Sequence, residues 1–147
     1  MESSMNLVRP LYLAAVIFLL HPSMALAELP GIKVIVSNIS PSEGKVEVSL
    51  FNSSDSFMKE PYLQQSGPPD ENGRFETEFV GLPEGEFAVV VVHDANNNGK
   101  LDAGFLGIGG ESFGYSNNAS PWFSRPDFDE VKVTVDVPGT LIEINLD

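Results

Sequence analysis

Strict alternation of apolar and polar residues, turns at short intervals and the lack of any sustained 3.6-residue period predict an all-β chain. The expected architecture is an antiparallel β-sandwich of about seven strands. The elements follow in order along the chain. Ile32, Val34 and Val36 alternate with Lys33, Ile35 and Ser37, as in a strand with one wet face. Pro41-Ser42-Glu43-Gly44 supplies a turn, and Val46, Val48 and Leu50 then alternate with Glu47 and Ser49. Ser54 to Lys59 has room for one helical turn at most, and Pro61 to Gly73, rich in Pro, Gly and polar residues, reads as a loop. Phe75, Thr77 and Phe79 alternate with Glu76 and Glu78 before the turn Pro83-Glu84-Gly85. Phe87 to Val92 (FAVVVV) is apolar on both faces, the pattern of a central strand. Val131, Val133, Val135 and Val137 alternate with polar residues, Pro138-Gly139 turns the chain, and Ile142, Ile144 and Leu146 close the set.

Residues 1–27 read as a secretory signal. Arg9 gives a weakly positive start, Leu11 to Leu20 is an apolar run, and Ala25-Leu26-Ala27 is a small-x-small cleavage site. The apolar run is about ten residues, half of the roughly 20 that a bilayer span needs. Cleavage after Ala27 leaves residues 28–147 as one domain, large enough for its own core and too short for two. Export, to the periplasm or beyond the cell, is the expected destination, with no membrane span after cleavage. The absence of cysteine excludes disulfides, thiolate metal sites and a Cys nucleophile. The net charge is −13, and it stays there once Glu2 and Arg9 leave with the signal. Such a balance argues against nucleic acid and anionic lipid as partners and suits cations.

Two segments carry chemistry. Asp94-Ala95-Asn96-Asn97-Asn98-Gly99-Lys100-Leu101-Asp102 places oxygen-bearing side chains at positions 1, 3, 5 and 9 of a loop, with Gly at position 6. Ca²⁺ takes six to eight oxygens, which alternate residues of a tight turn can supply. The candidate ligands are Asp94, Asn96, Asn98 and Asp102 through side chains and Lys100 through its carbonyl. An EF-hand has a bidentate Glu at position 12, where this chain has Phe105, so another carboxylate such as Glu111 would have to stand in. The competing reading is an Asx-rich turn in which Asn and Asp bond their own backbone. The second segment, Ala103 to Arg125, interleaves Gly104, Gly107, Gly109, Gly110 and Gly114 with five aromatic residues. It reads as an ordered excursion from the sandwich. Within it Tyr115, Trp122 and Phe123 form either a stacking platform for a sugar or peptide, or a small second core. His93 precedes the loop, and its expected role is to buttress it. Pairing it with Ser116 as a hydrolytic couple has no G-x-S-x-G elbow to support it.

The order of motifs carries a resemblance. F-x-x-L-P-x-G-x-[FY]-A at Phe79 to Ala88 is followed by V-x-H-D-x-N-x-N-G-K-L-D at Val91 to Asp102. Then come F-L-G-I at Phe105 to Ile108, E-x-x-G-Y-S-N-N at Glu111 to Asn118, and a terminal pair of strands. Together with the G-K-V turn at Gly44 to Val46 and the strand ending at Leu50 to Asn52, these resemble the small exported bacterial proteins of the DUF2141 family over essentially all of residues 28–147. Ile108-Gly109-Gly110 stands where that family more often has a Pro. The resemblance implies an Ig-like or transthyretin-like sandwich and no established activity. The loop string also resembles calcium-binding loops of bacterial surface B-repeat modules, over nine residues only.

The expected function is therefore an exported binding or structural envelope protein, non-enzymatic, with a calcium-stabilised loop at 94–102. A cell-envelope glycan or protein is the expected partner class. The alternatives are a carbohydrate- or peptide-binding module using the excursion at 113–123, and a hydrolase.

Overall fold

The computed structural model describes residues 29–99, 110–119 and 125–146. The signal read at 1–27 lies outside them, as do Lys100, Asp102, Trp122 and Phe123. The described elements are β1 (Gly31–Ser37), β2 (Lys45–Phe51), β3 (Leu63–Gly67), β4 (Phe75–Val80), β5 (Gly85–Asp94), β6 (Phe113–Tyr115), α1 (Phe128–Val131), β7 (Val133–Val135) and β8 (Thr140–Asn145), with a 3-10 turn at Ser116–Asn118. They form two sheets. One has the order β4-β1-β8, and the other runs β3-β2-β5-β6, with β7 also paired to β5. The turns Pro41–Gly44, Pro83–Gly85 and Pro138–Gly139 each carry the chain from one sheet to the other, so neighbours in sequence face each other across the core.

Period 2 decides what fills that core. Ile32, Val34 and Val36 of β1, Ile142 and Ile144 of β8 and Phe79 of β4 interdigitate with Val46, Val48 and Leu50 of β2 and with Phe87, Val89 and Val91 of β5. The opposite face of β5 is buried too. Ala88 and Val90 join Phe51, Phe57, Tyr115, Phe128 and Val131 in a second apolar cluster. A strand covered on both faces must be apolar at every position, which is what FAVVVV reads.

The structure differs from the sequence reading in four places. The eight described strands agree with the sandwich of about seven expected, but β1 and β8 run parallel and not antiparallel, from Ile32 beside Thr140 to Ser37 beside Asn145. The segment read as a loop at 61–73 contains β3, an edge strand against β2. Its side chains are exposed at Leu63 to Ser66, so neither face is apolar and no alternation marks it. Val131 belongs to α1 and not to the following strand. The Glu130 carboxylate accepts from the Asp127 N–H at 2.8 Å and holds one helical turn. That turn sends Val131 into the second cluster while Val135 enters the main core. Within the described part of the excursion, Phe113–Tyr115 pairs with Val90–Val92 as β6.

Candidate functional site

The long central strand ends at His93 and Asp94, and the two side chains leave on opposite faces. His93 is 1% exposed and continues the inner row Phe87, Val89, Val91. Its Nε2 lies 2.7 Å from the Glu43 carbonyl oxygen. A carbonyl only accepts, so Nε2 carries the proton of that bond. The ring thereby ties the Pro41–Gly44 turn to the base of the 94–99 segment. Gly44, at φ +81°, sits directly under that base: a Cβ added there would come within 2.3 Å of the Asp94 carbonyl oxygen.

Asp94 is 5% exposed and organises the turn that follows it. Its Oδ1 accepts from the Asn98 N–H at 3.1 Å and its Oδ2 from the Gly99 N–H at 2.8 Å. Asn96 Oδ1 accepts from the Asn98 N–H at 2.9 Å. Asn97 and Gly99 both adopt left-handed φ, 58° and 72°. Among the described residues an added Cβ at Gly99 would meet nothing within 4 Å, so the left-handed φ is the reason for glycine that they show there. Asn96 and Asn98 are exposed, with Asp94 beneath them.

The excursion returns to this place. β5 and β6 pair Val92 with Phe113, and the His93 N–H reaches the Ser112 carbonyl at 2.9 Å. Continuing that register puts Glu111 directly across from Asp94, and their side chains are hydrogen-bonded. On the other flank Asp94 stands opposite Lys45, which is bridged to Glu47 at 3.6 Å. Two carboxyl groups facing each other across a ladder repel unless a proton or a cation lies between them.

Burial alone would raise the pKa of Asp94. The N–H groups of Gly99, Asn98 and Asn97, together with Glu111, outweigh it and hold the carboxyl below its usual value. A folded-state pKa below the unfolded one means stability that is present above about pH 3.9 and lost as pH falls through the folded value. The Gly99 and Asn98 amides are expected to be protected from hydrogen exchange above about pH 4 and to lose protection in stronger acid. Protection that stays constant through that range would remove Asp94 as the organiser of the turn.

Of the residues named from sequence as metal ligands, the structure brings Asp94, Asn96 and Asn98 together. Lys100 and Asp102 lie outside the described residues. Among the described residues no group of three or more His, Asp or Glu side chains could hold a metal ion by itself. The aromatic platform fares differently. Tyr115 is 3% exposed and packs in the second cluster, edge-on to Phe113 at a 5.9 Å centroid distance, so its ring is not presented at the surface. Trp122 and Phe123 are outside the described residues.

The Gly-Tyr-Ser-Asn-Asn run at 114–118 is structural hardware. A Cβ at Gly114 would meet Ile144 at 2.6 Å and Leu146 at 2.9 Å. Ser116 is fully buried, and its Oγ accepts from the Val89 N–H at 3.0 Å and donates to the Val131 carbonyl. Asn117 Nδ2 donates to the Lys132 carbonyl at 3.2 Å. Ser116 binds β5 at Val89, four residues from His93, a span of about 13 Å along a strand. The two do not form a hydrolytic couple.

Fold and site define an all-β sandwich whose central strand ends in a carboxylate-anchored Asx turn facing a second carboxyl group. The chain belongs to DUF2141, described as an uncharacterized protein conserved in bacteria, whose family pattern matches residues 34–143. No curated protein and no solved structure matches it. Among the described residues no helix is long and apolar enough to cross a membrane.

Proposed function

We propose that this chain is an exported, non-enzymatic binding or structural module of the bacterial envelope whose 94–102 loop is organised by Ca²⁺. The observation that carries the reading is the facing of Asp94 and Glu111 at the mouth of a turn already folded around Asp94. A hard divalent cation takes the place of the proton shared by the two carboxyl groups and gathers oxygens. Asp94, Asn96, Asn98 and Glu111 are the donors the described residues supply. Asp102 and the Lys100 carbonyl join them from the loop pattern. Glu111 takes the part that the missing position-12 Glu plays elsewhere, and through it the cation fastens the start of β6 to the end of β5. Export rests on the leader read at 1–27, and an envelope glycan or protein is the partner class that an exported, acidic, cation-bound surface fits.

Thermal unfolding of residues 28–147 in EDTA and in millimolar Ca²⁺ tests this. Binding to the native state alone adds RT ln(1 + [L]/Kd), about 2.7 kcal/mol at a hundredfold excess over Kd, or roughly ten degrees for a domain of this size. The double variant Asp94→Ala, Asp102→Ala is expected to keep the sandwich and lose the shift. Identical melting of the parent in both buffers would leave an Asx turn and no cation site.

A further inference from the structure

The three-stranded sheet ends in β4 on one side and β8 on the other. An edge strand presents unpaired N–H and C=O groups on which another strand can build, and folded proteins blunt such edges. Here a primary amide reaching over from the other sheet's side meets each edge. At β8, Asn118 Nδ2 donates to the Glu143 carbonyl at 3.0 Å, and Asn118 Oδ1 accepts from the Asn145 N–H at 3.0 Å. That carbonyl and that N–H point outward from the sheet, and one side-chain amide engages them as a peptide group of an added strand would. At β4, Gln65 Nε2 donates to the Glu78 carbonyl at 3.0 Å while Gln65 Oε1 accepts from the Thr77 hydroxyl.

Stability is a poor reason for this arrangement. Asn117 and Asn118 sit at φ 62° and 47°, a left-handed region that asparagine enters more readily than most residues but that adds no stability of its own. The amides of Gln65 and Asn118 are exposed, where a hydrogen bond is exchanged with water for little net gain. What the bonds do achieve is to engage backbone groups at both edges that carry no further strand among the described residues, two groups at β8 and one at β4.

We propose that Asn118 and Gln65 are edge guards that keep a second copy of this chain from adding a strand to the three-stranded sheet. The edge at risk is β8, where the guarding amide engages two backbone groups against one at β4, and a β8–β8 contact closes about a two-fold axis. The inference is independent of the calcium reading, since none of these residues belongs to the 94–102 loop.

Sedimentation velocity of the parent, Asn118→Gly, and Asn118→Gly with Gln65→Thr, across micromolar to millimolar concentrations, tests it. Glycine accepts the left-handed φ and removes only the amide. The parent is expected to sediment without concentration dependence. The double variant is expected to self-associate with a Kd at least about tenfold below the highest concentration tested, a free-energy change of at least about 1.4 kcal/mol relative to the parent. In the associated form the Asn145 amide, deprived of its acceptor by the substitution, regains protection from hydrogen exchange, and the Glu143 amide gains it. A folded double variant that sediments like the parent overturns the proposal. So does association without protection at those two amides, or a parent that already pairs through β8. Should the double variant fail to fold, Asn118→Gly alone is scored on the same two readouts.

Discussion

Ser116→Ala is expected to lower the stability of the domain by about 3 kcal/mol, although it removes a single oxygen atom. The hydroxyl sits between the two halves of the second cluster. It accepts from the Val89 N–H of the central strand and donates to the Val131 carbonyl at the end of α1. Ser116 is completely buried, so in the alanine variant neither backbone group finds water. Each buried group left without its partner costs roughly 1–3 kcal/mol. At about 4 °C per kcal/mol for a domain of this size, the midpoint should fall by roughly 12 °C. Urea unfolding measures the loss directly. A decrease below about 1 kcal/mol, the worth of one ordinary hydrogen bond, would show that the hydroxyl is not the hub of that contact.

Gly44→Ala should cost still more, about 4 kcal/mol, and should disturb the loop as well as the fold. Two penalties coincide at this position. The φ of +81° is unfavourable for alanine, and the new Cβ would lie 2.3 Å from the Asp94 carbonyl oxygen and 2.6 Å from the Ala95 Cα. Backbone cannot swing aside as a side chain can, so the turn and the base of the loop must separate, weakening the His93 bond to Glu43. Gly99→Ala is the internal control. Its φ of +72° is equally unfavourable, and among the described residues its Cβ would meet nothing within 4 Å. It should lose only about 1–2 kcal/mol. Equal losses in the two variants would mean that crowding between turn and loop is absent. If Ca²⁺ binds at 94–102, Gly44→Ala should also need more of it to reach the same shift in melting temperature, because Asp94 would be displaced from beneath Asn96 and Asn98.

Where a physical rule acts over a few residues, the sequence was readable. β1, β2, β4, β5 and β8 announce themselves because a strand with one buried face must alternate, and β5 because a strand with two buried faces must not. Asp94, Asn96 and Asn98 were nameable as one constellation because their geometry is local, with Asp94 closing on amides four and five residues ahead. β3 was hidden. An exposed edge strand carries no hydrophobic period, and the prolines at 61, 68 and 69 gave the segment the composition of a loop. α1 was hidden by valines that happened to keep period 2 across a helical turn.

By itself, then, the sequence determined the class of fold, the central strand and the turn that Asp94 folds around itself, because each depends on contacts within one or two turns of chain. Only the tertiary structure decided the parallel pairing of β1 with β8, the burial of Tyr115, and the roles of Ser116 and Asn118. It alone also set Glu111 opposite Asp94. Those facts depend on the register between strands whose connections are long, and a polar residue's partner 15 or 27 residues away leaves no local trace. Serine and asparagine read alike in a loop, a ligand site or a buried staple until packing shows which backbone groups they were left to satisfy.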